Sequence, residues 1–384
     1  MSFNTLNISS RKIKLKLTVF WIFLFSCGIN SAQEPSVGEL RQKIATLRSQ
    51  KKQVNKDTIY IGLLMDLGSK LRFLNPDSLL LLSSEAQKLS SNIDYKKGVS
   101  ESLFNLGTYY SDIGEHSKAI DSYEMALVNA KKDNNHDLSL RIGNELANEN
   151  VYNGNYSTAL LGYLENIKLA QAYGNRKMES ILYENVADLY ATQKDYDQAL
   201  YFYEKVEKIN SKIGNDINSA QTMSNVASIY AETEDFQNAL FKINRSIKIF
   251  EQGDVWDWLA YAYEVKGKVY LKQKQFTRAL YWYHKSAELH ENLQDDRGII
   301  DLYNGMAEAN FGLEKDSISQ NYAMMAYEIS STIKSMEGIK KCSNTLYKVY
   351  KNQENYAAAL KYHEIFRQIS DTLSRDENKM SMTM

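Results

Sequence analysis

Proline and cysteine are both scarce in this sequence, with two of each among 384 residues. A proline inside a helix removes a hydrogen bond and clashes with the preceding turn, so a chain with so few prolines is typical of a helical protein. If the N-terminal segment that contains Cys27 is removed, Cys342 is the one cysteine left, and a single thiol cannot form an internal disulfide. We therefore expect a helical fold held together by packing, in which Cys342 is a small buried residue rather than a reactive thiol.

An excess of either charge is also lacking, since 46 Lys and Arg residues face 47 Asp and Glu residues. Nucleic-acid-binding proteins carry basic patches, so this balance argues against such a partner. Motifs for nucleophile elbows, phosphate-binding loops and dinucleotide-binding loops do not occur in the sequence. The His-Glu pairs at His290 and His363 lack the second histidine, four residues on, that a zinc-protease helix requires. The sequence therefore predicts no enzyme and no metal or cofactor site.

The one long apolar run lies at the N-terminus, where residues 1–32 have the order of a secretory signal peptide. Four basic residues between positions 11 and 16 precede the apolar stretch Leu17–Gly28, and small residues follow it. This stretch is shorter than the roughly 20 residues that span a bilayer. We predict cleavage after Ala32, no membrane span in the mature chain, and a periplasmic location. Leu24–Cys27 resembles a lipoprotein box, which leaves a lipid anchor at Cys27 and an outer-membrane location as the alternative.

What the chain does have is a 40-residue period. Asn185–Leu200 and Asn225–Leu240 share Asn, Val, Ala, Tyr, Ala and Leu at the same places. Two columns of small residues keep this period, and aromatic residues recur beside them. Small residues let antiparallel helices approach closely, and large aromatics fill the space on either side. The columns are Ala119, Ala159, Ala199, Ala239, Ala279 and Ala359, and Gly107, Ala147, Ala187, Ala227, Gly267 and Ala307.

This pattern resembles the tetratricopeptide repeat (TPR), whose usual period is about 34 residues. One unit carries the resemblance through Leu106, Gly107, Tyr110, Gly114, Ala119, Tyr123 and Ala126. The longer period is similar to the TPR arrays of bacterial peptide-sensing regulators and of the exported region of TPR sensor kinases, and it implies longer helices or connections. The resemblance implies an all-α fold, an α-solenoid that forms a right-handed superhelix of about eight helical hairpins.

The resemblance also implies domain boundaries. A capping helix and linker would occupy residues 33–56, the solenoid residues 57–372, and a C-terminal tail residues 373–384. The unit that contains Asp316, Ser319 and Gln320 departs from the family pattern, so we expect a looser or shifted helix pair there.

In TPR arrays the first helix of each hairpin lines the concave wall, and here that wall is rich in asparagine. Asparagine is a poor helix former, but its amide both donates and accepts hydrogen bonds. Peptide-sensing relatives use inner-wall asparagines to bind peptide backbone, so the resemblance implies ligand contact, while bridging to the next repeat is the alternative. The candidate wall residues are Asn105, Asn144 with Asn148, Asn185 with Asp188, Asn225 with Ser228, Glu264 with Lys268, Asn304 and Asn344.

Two aromatic residues interrupt the asparagine row. Trp258 and Tyr261 fall on the helical face that also carries Glu264 and Lys268. Rigid aromatic residues are good anchors for a partner, although the same residues are also common in cores. We consider Trp258 and Tyr261 as ligand-binding candidates and expect Trp256 to belong to the core.

Two functions are consistent with these features. The first is an exported scaffold that binds a peptide or protein segment in its concave groove, as the input part of a signalling system with a membrane sensor protein as partner. The stretch from Ser370 to Lys379 resembles the segment that leads out of the array in TPR sensor kinases. The alternative is a structural adaptor of an envelope complex that acts through its ends or its convex surface.

Overall fold

The computed structural model describes residues 35–50, 54–72, 74–293, 299–332 and 335–381. The predicted signal peptide and the alternative lipid anchor at Cys27 lie outside these residues. The described residues form helices and turns, and no strand occurs among them. The helices are α1 (Val37–Gln50), α2 (Thr58–Leu71), α3 (Pro76–Asn92), α4 (Lys96–Asp112), α5 (His116–Lys132), α6 (His136–Tyr152), α7 (Tyr156–Ala172), α8 (Arg176–Thr192), α9 (Tyr196–Ile213), α10 (Asp216–Glu232), α11 (Phe236–Gln252), α12 (Trp256–Lys272), α13 (Phe276–Leu293), α14 (Ile299–Gly312), α15 (Asp316–Thr332), α16 (Met336–Asn352) and α17 (Tyr356–Ser381), with a 3-10 helix at Val54–Lys56.

These helices pack as consecutive antiparallel hairpins. The first helix, α1, lies against α2, and each later even-numbered helix pairs with the odd-numbered helix that follows it. Each hairpin then packs on the next, so that neighbouring hairpins share buried clusters, the most extensive running from α6 to α10. One hairpin cannot bury its own apolar face, and stacking supplies the missing surface. The predicted all-α solenoid of about eight hairpins is confirmed.

The 40-residue period comes from the helix lengths. Most helices from α4 to α12 have 17 residues, and most connections between them have three residues. Two helices and two connections therefore make one period. At the centre of each connection a residue has a positive φ, for example 74° at Gly114 and 62° at Lys194. The following N–H donates to a carbonyl five residues back, as from Glu115 to Tyr110 at 2.9 Å, which ends the helix in the Schellman manner.

The small residues lie where the two helices of a hairpin cross. A Cβ atom added at Gly107 would lie 2.6 Å from the Tyr123 ring, and one added at Gly267 would lie 2.7 Å from the Tyr283 ring. Both tyrosines are almost completely buried. The prediction that small residues permit close helix approach while aromatics fill the adjoining space is therefore confirmed.

One expectation about the C-terminal part does not hold. Ser319 is buried in the place of the column alanine, and its Oγ donates to the Ala307 carbonyl at 2.8 Å. The hydroxyl therefore fits the crossing, and α15 begins at Asp316 in register with its counterparts, so the pair is neither looser nor shifted. The last helix, α17, continues past Thr372 to Ser381.

Cys342 on α16 is fully buried, as expected. Burial raises the pKa of its thiol to about 12, which leaves it protonated at neutral pH. Among the described residues, no helix is both long and apolar enough to cross a membrane.

Candidate functional site

The concave surface of the solenoid, here called the inner groove, is lined by the first helix of each hairpin. It contains two cavities. The large cavity, about 1440 Å³, runs along α4, α6 and α8, and the acidic pocket, about 640 Å³, lies along α8, α10 and α12. Thr192 at the end of α8 lines both, so the two cavities adjoin at this residue. The acidic pocket is formed by Asp188, Ala191, Thr192, Tyr203, Asn225, Ser228, Ile229, Asp257, Trp258, Tyr261, Glu264 and His290.

The large cavity is enclosed by both ends of the array. Asn105 and Arg141 lie on its wall, and the Arg141 guanidinium sits 4.7 Å from the centre of the Phe104 ring. Thr372 and Leu373 on α17 line the same space, and α17 also contacts α7. The superhelix therefore curves far enough for its last hairpin to approach the third.

Hydrogen bonds join the predicted wall residues of adjacent repeats. Asn185 Nδ2 donates to Asn144 Oδ1 at 2.7 Å, and Lys268 Nζ donates to Ser228 Oγ at 3.0 Å. A longer contact of 3.4 Å joins Asn225 Nδ2 to an Asp188 oxygen. Because each pair spans one 40-residue step, these groups help to set how neighbouring hairpins stack. Bridging between repeats, the alternative to ligand contact, therefore describes Asn144, Asn185 and Lys268.

The other candidates occupy different positions along the groove. Asn304 is buried, donates to Glu308 and accepts from Thr345 of the next repeat at 3.1 Å, so its amide is not available to a ligand. Asn148 accepts from Tyr163, and Asn344 lines neither cavity. Among the predicted wall asparagines, Asn105 alone lines the large cavity with no side-chain hydrogen bond to another described residue.

Tyrosines from the second helices reach through the hairpins to the groove. The Tyr203 hydroxyl donates to Asp188, and the Tyr163 hydroxyl donates to Asn148 at 2.5 Å. In both hairpins the tyrosine follows its acceptor by 15 residues. The tyrosine column thus fills the helix crossing with its rings and orients groove side chains with its hydroxyls. Sequence reasoning assigned these tyrosines to the core and missed the second role.

The acidic pocket concentrates negative charge in a confined space. Burial, and after it the charge of Asp188 one turn further along α8, raises the pKa of Glu184 to about 8. Burial also raises the pKa of Asp188 to about 6, against the lowering effect of the Tyr203 hydrogen bond. Burial and the charges of Glu264 and Asp188 raise the pKa of Tyr261 as well. The carboxyl groups of Glu184, Asp188 and Glu264 therefore all influence this part of the groove.

Cations near the pocket are already paired. Lys268 lies 2.8 Å from Glu232, and Lys341 lies 2.8 Å from Asp301. Burial opposes ionisation of Glu232, but Lys268 and then Lys272 outweigh it and lower the pKa of this carboxyl to about 2. A network of ion pairs, in which Glu232 contacts both Lys268 and Lys272, therefore lies beside the acidic pocket.

The aromatic candidates divide between pocket and surface. Trp258 and Tyr261 line the acidic pocket with their rings edge to face, the centroids 5.7 Å apart. Trp256, which we expected in the core, is 47% exposed. It is the first residue of α12, where side chains point away from the packed face. Of the lining residues, Asp257, His290 and Ile229 were not predicted, because they lie outside the columns that mark the wall.

Metal binding has no support in the geometry. No group of three or more His, Cys, Asp or Glu side chains among the described residues is arranged to hold a metal ion. The carboxylates of the acidic pocket are spread over α8 and α12 around Trp258 and Tyr261. The side chains of this pocket can supply hydrogen bonds, charge and aromatic contact to a ligand.

Several solved structures share the architecture. Aspartyl phosphate phosphatase F from Bacillus subtilis aligns with a TM-score of 0.60 at 15% identity, over 90% of this chain and 96% of that chain. The apo form of the quorum sensor NprR from B. thuringiensis aligns with a TM-score of 0.59 at 14% identity, over 87% and 97%. A Rap protein complexed with competence and sporulation factor aligns with a TM-score of 0.58 at 13% identity, over 89% and 100%. Such identities show the fold alone.

The sequence itself also matches family models. Residues 102–138 and 177–252 each match a model described as tetratricopeptide repeat. No curated protein matches the sequence. The matched stretches cover α4–α5 and α8–α11, and the same hairpin geometry continues through the rest of the described array. The chain is a tetratricopeptide repeat protein with a 40-residue period.

Proposed function

We propose that this protein is an interaction scaffold that binds an extended polypeptide segment along its inner groove. The observation that carries the proposal is that the large cavity and the acidic pocket adjoin at Thr192 along one face of the array. Adjoining cavities lined by amides and aromatic residues suit an extended chain, since amides pair with its backbone and aromatics anchor its side chains. Two proteins of similar fold are a quorum sensor and a protein solved with a signalling factor, which supports the same kind of ligand.

The test is selection of peptides from a random display library on the full-length protein. Thr192→Trp places a large side chain at the junction of the two cavities, and because Thr192 is exposed the fold should survive. We expect the selected peptides to lose most of their affinity for this variant. Phe241→Ser, on the outer surface, is the matched control and should bind normally. Peptides that bind Thr192→Trp as tightly as the wild type would contradict groove binding.

We also propose that binding takes place outside the cytoplasm, with a membrane sensor protein as the downstream partner. The order of basic, apolar and small residues in residues 1–32 supports this proposal. Expression in the native host and mass spectrometry of the processed N-terminus test it, and the mature chain should begin at Gln33. A chain that keeps Met1 would contradict export, and a lipid on Cys27 would favour the anchored form.

A structural adaptor is the second candidate, and one observation favours it. Four apolar side chains recur in 40-residue steps on the second helices of consecutive hairpins, and each is more than half exposed. They are Leu161, Tyr201, Phe241 and Tyr281. If the outer surface is the binding surface, site-specific photo-cross-linkers placed at Phe241 should capture the native partner, while those at Ile181 in the large cavity should not.

A further inference from the structure

The second helices α9, α11 and α13 carry a row of aromatic and basic side chains outside the inner groove. On each helix an aromatic residue is followed one turn later by a basic residue, in 40-residue steps. We call this row the outer ridge, and it consists of Tyr201 with Lys205, Phe241 with Arg245, and Tyr281 with Lys285. The three aromatic residues are each more than half exposed, and no residue of the row lines either cavity. The outer ridge is therefore a surface separate from the groove.

Lys205 of the outer ridge is surrounded by three aromatic rings. Its Nζ lies 4.5 Å from the centre of the Tyr201 ring, 4.9 Å from that of Tyr183 and 5.1 Å from that of Phe202. Tyr183 belongs to α8, so both helices of the hairpin contribute to this cage. An ammonium group is attracted to the face of an aromatic ring at such distances. The rings therefore hold Lys205 in position, whereas an ordinary surface lysine samples many conformations.

The same cage recurs two periods later around Lys285. Its Nζ lies 5.6 Å from the centres of the Tyr263 and Tyr281 rings and 5.8 Å from that of Trp282. Lys266 adds a second ammonium group to this hairpin, since its Nζ lies 3.7 Å from the centre of the Trp282 ring. Two hairpins of the array therefore present a lysine that aromatic rings hold in place.

Carboxylates on α9 are paired with lysines outside the outer ridge. Glu204 contacts Lys208 at 2.6 Å, and Glu207 contacts Lys242 of the next hairpin at 2.6 Å. The ridge cations that form no ion pair with a described carboxylate are Lys205, Arg245 and Lys285. A ligand that brings carboxylates can therefore pair with these cations without displacing an existing ion pair.

The composition of the outer ridge suits an acidic polypeptide rather than an anionic lipid surface. Lipid surfaces attract clusters of about 4–8 basic residues, whereas Glu204 and Glu207 on α9 interrupt the basic surface beside Lys205. Exposed aromatic residues and arginine are instead enriched where proteins bind one another. A lysine that is already held in place also loses less side-chain entropy when it pairs with a ligand.

We propose that the outer ridge binds an acidic segment of a partner protein. Carboxylates of the segment pair with the three ridge cations, and its apolar side chains pack against the exposed aromatic residues between them. This inference goes beyond groove binding and does not depend on it, because the outer ridge lies outside both cavities. It also gives the structural adaptor a partner of stated chemistry.

Calorimetric titration of the full-length protein with two matched peptides tests the inference. One peptide consists of five Glu-Leu-Ser repeats, and in the other glutamine replaces every glutamate. We expect the glutamate peptide to bind about tenfold more tightly or better, because charged hydrogen bonds to the ridge cations are stronger than neutral ones. Lys205→Gln combined with Lys285→Gln should remove most of this preference. Lys205→Arg combined with Lys285→Arg keeps both charges and should keep it.

Two further variants are controls. Lys131→Gln combined with Lys132→Gln, at the exposed end of α5, changes the net charge by the same amount and should keep the preference. Thr192→Trp, in the groove, should also keep it. Circular dichroism of every variant shows whether the array is still folded.

Equal binding of the two peptides, or no binding of either, would overturn the inference. So would a glutamate preference that survives in Lys205→Gln with Lys285→Gln, or one that Thr192→Trp abolishes, because the site would then lie elsewhere. Phosphatidylglycerol vesicles that bind through the two lysines, while the glutamate peptide does not bind, would make the ridge a membrane-binding surface instead. Failure of the proposed function has a different signature, since library peptides that ignore Thr192→Trp would leave the result with the glutamate peptide unchanged.

Discussion

At the scale of single residues, the amides of the inner groove act between repeats. Asn185 donates to Asn144 at 2.7 Å, and Asn144 is itself buried. A hydrogen bond of this kind contributes about 0.5–1.5 kcal/mol, and more is lost when a buried partner is left unsatisfied. The asparagine row is therefore part of the stacking contact, and the groove surface that remains for a ligand is narrower than the sequence predicts.

We expect Asn185→Ala to lower the free energy of unfolding by about 1–2 kcal/mol, because it leaves the Asn144 carbonyl oxygen without its donor. Urea unfolding followed by circular dichroism measures the change. Asn344→Ala is the matched control, since Asn344 occupies the same wall but has no comparable bond among the described residues. Equal stability of the wild type and Asn185→Ala would show that the bond between repeats contributes nothing.

Two helical glycines give a second prediction. A Cβ at Gly267 would lie 2.7 Å from the Tyr283 ring, whereas a Cβ at Gly62 would meet nothing within 4 Å. Gly267→Ala should destabilise the protein by about 1–3 kcal/mol through overpacking. Gly62→Ala should instead stabilise it by about 0.5–1 kcal/mol, because alanine is the better helix former. Opposite shifts of the unfolding midpoint check both values, and shifts of the same sign would contradict the packing argument.

Residue types alone predicted the crossing positions but not the hydrogen bonds. Gly267 was recognised because only small residues recur at that place in the period. The hydrogen bond between Asn185 and Asn144 depends on side-chain rotamers and on how two repeats stack. The residue types at one position of the repeat determine neither of these. Trp256 was misplaced for a related reason, since an aromatic residue at the first position of a helix can point outward while its neighbours pack.

At the scale of elements, helix α8 has an acidic face that responds to pH. Its Glu184 carboxyl has a pKa raised from 4.5 to about 8 by burial and by Asp188. The folded protein therefore holds a proton that the unfolded chain releases, so stability falls as pH rises between about 4.5 and 8. The groups around Glu184 are Asp188, Thr222, Tyr203 and Tyr261. The Glu232 shift has the opposite sign and acts below pH 4.5, outside this window.

Urea unfolding of the wild type at pH 5 and pH 8 should show the lower stability at pH 8. In Glu184→Gln the difference should shrink, because glutamine stays neutral at both values while Asp188 still titrates. Glu204→Gln, on the exposed face of α9, is the control and should keep the wild-type difference. Identical pH dependence in the wild type and Glu184→Gln would exclude a buried, protonated carboxyl at this position.

The elements themselves follow closely from the sequence. Asn135, Asn175 and Asn215 accept hydrogen bonds from backbone N–H groups at the N-termini of α6, α8 and α10, a capping role for which asparagine is a preferred residue type. The left-handed turns at Lys194 and Glu234 could not be predicted in the same way. Neither residue favours a positive φ, so the register of two 17-residue helices imposes the conformation against local preference.

At the scale of the whole molecule, the array is modular in a way that deletion can test. Gly174 and Asn175, between α7 and α8, correspond to Gly214 and Asn215, between α9 and α10, and both glycines have a φ of 68°. Removal of residues 176–215 therefore excises α8 and α9 and rejoins Asn175 to Asp216 in register. We expect a fully helical and cooperatively unfolding protein of lower stability, because repeat arrays lose one unit and one interface. Circular dichroism and urea unfolding measure both properties.

Removal of residues 176–195 is the control. It deletes only α8, so that α9 would directly follow α7. A second helix, with its buried Tyr203, would then occupy a position that the first helix of a hairpin normally fills. This variant should lose cooperative unfolding. If the half-period deletion were as stable as the full-period deletion, the alternation of first and second helices would not govern the packing.

The superhelical curvature lies beyond what sequence reasoning reached. Leu373 and Asn105 line one cavity because a small rotation at each of several hairpins brings the last towards the third. The rotation between two hairpins depends on how their side chains pack against each other. The total curvature is the sum of these rotations, so it depends on every interface between hairpins. The composition of the groove wall could be predicted from the period, but the enclosure of its N-terminal half could not.

The left-handed turns have one more consequence. Gly114 and Gly154 occupy this position in two hairpins, but the same position holds Lys194, Glu234, Lys274, Glu314 and Glu354 in the others. A side chain in this conformation costs roughly 1–2 kcal/mol, and well-separated sites usually add. Glycine introduced at one, two or more of these turns would therefore yield a graded series of proteins with the same groove and increasing stability. With such a series, the part that stability of the array plays in ligand capture can be measured separately from the chemistry of the groove.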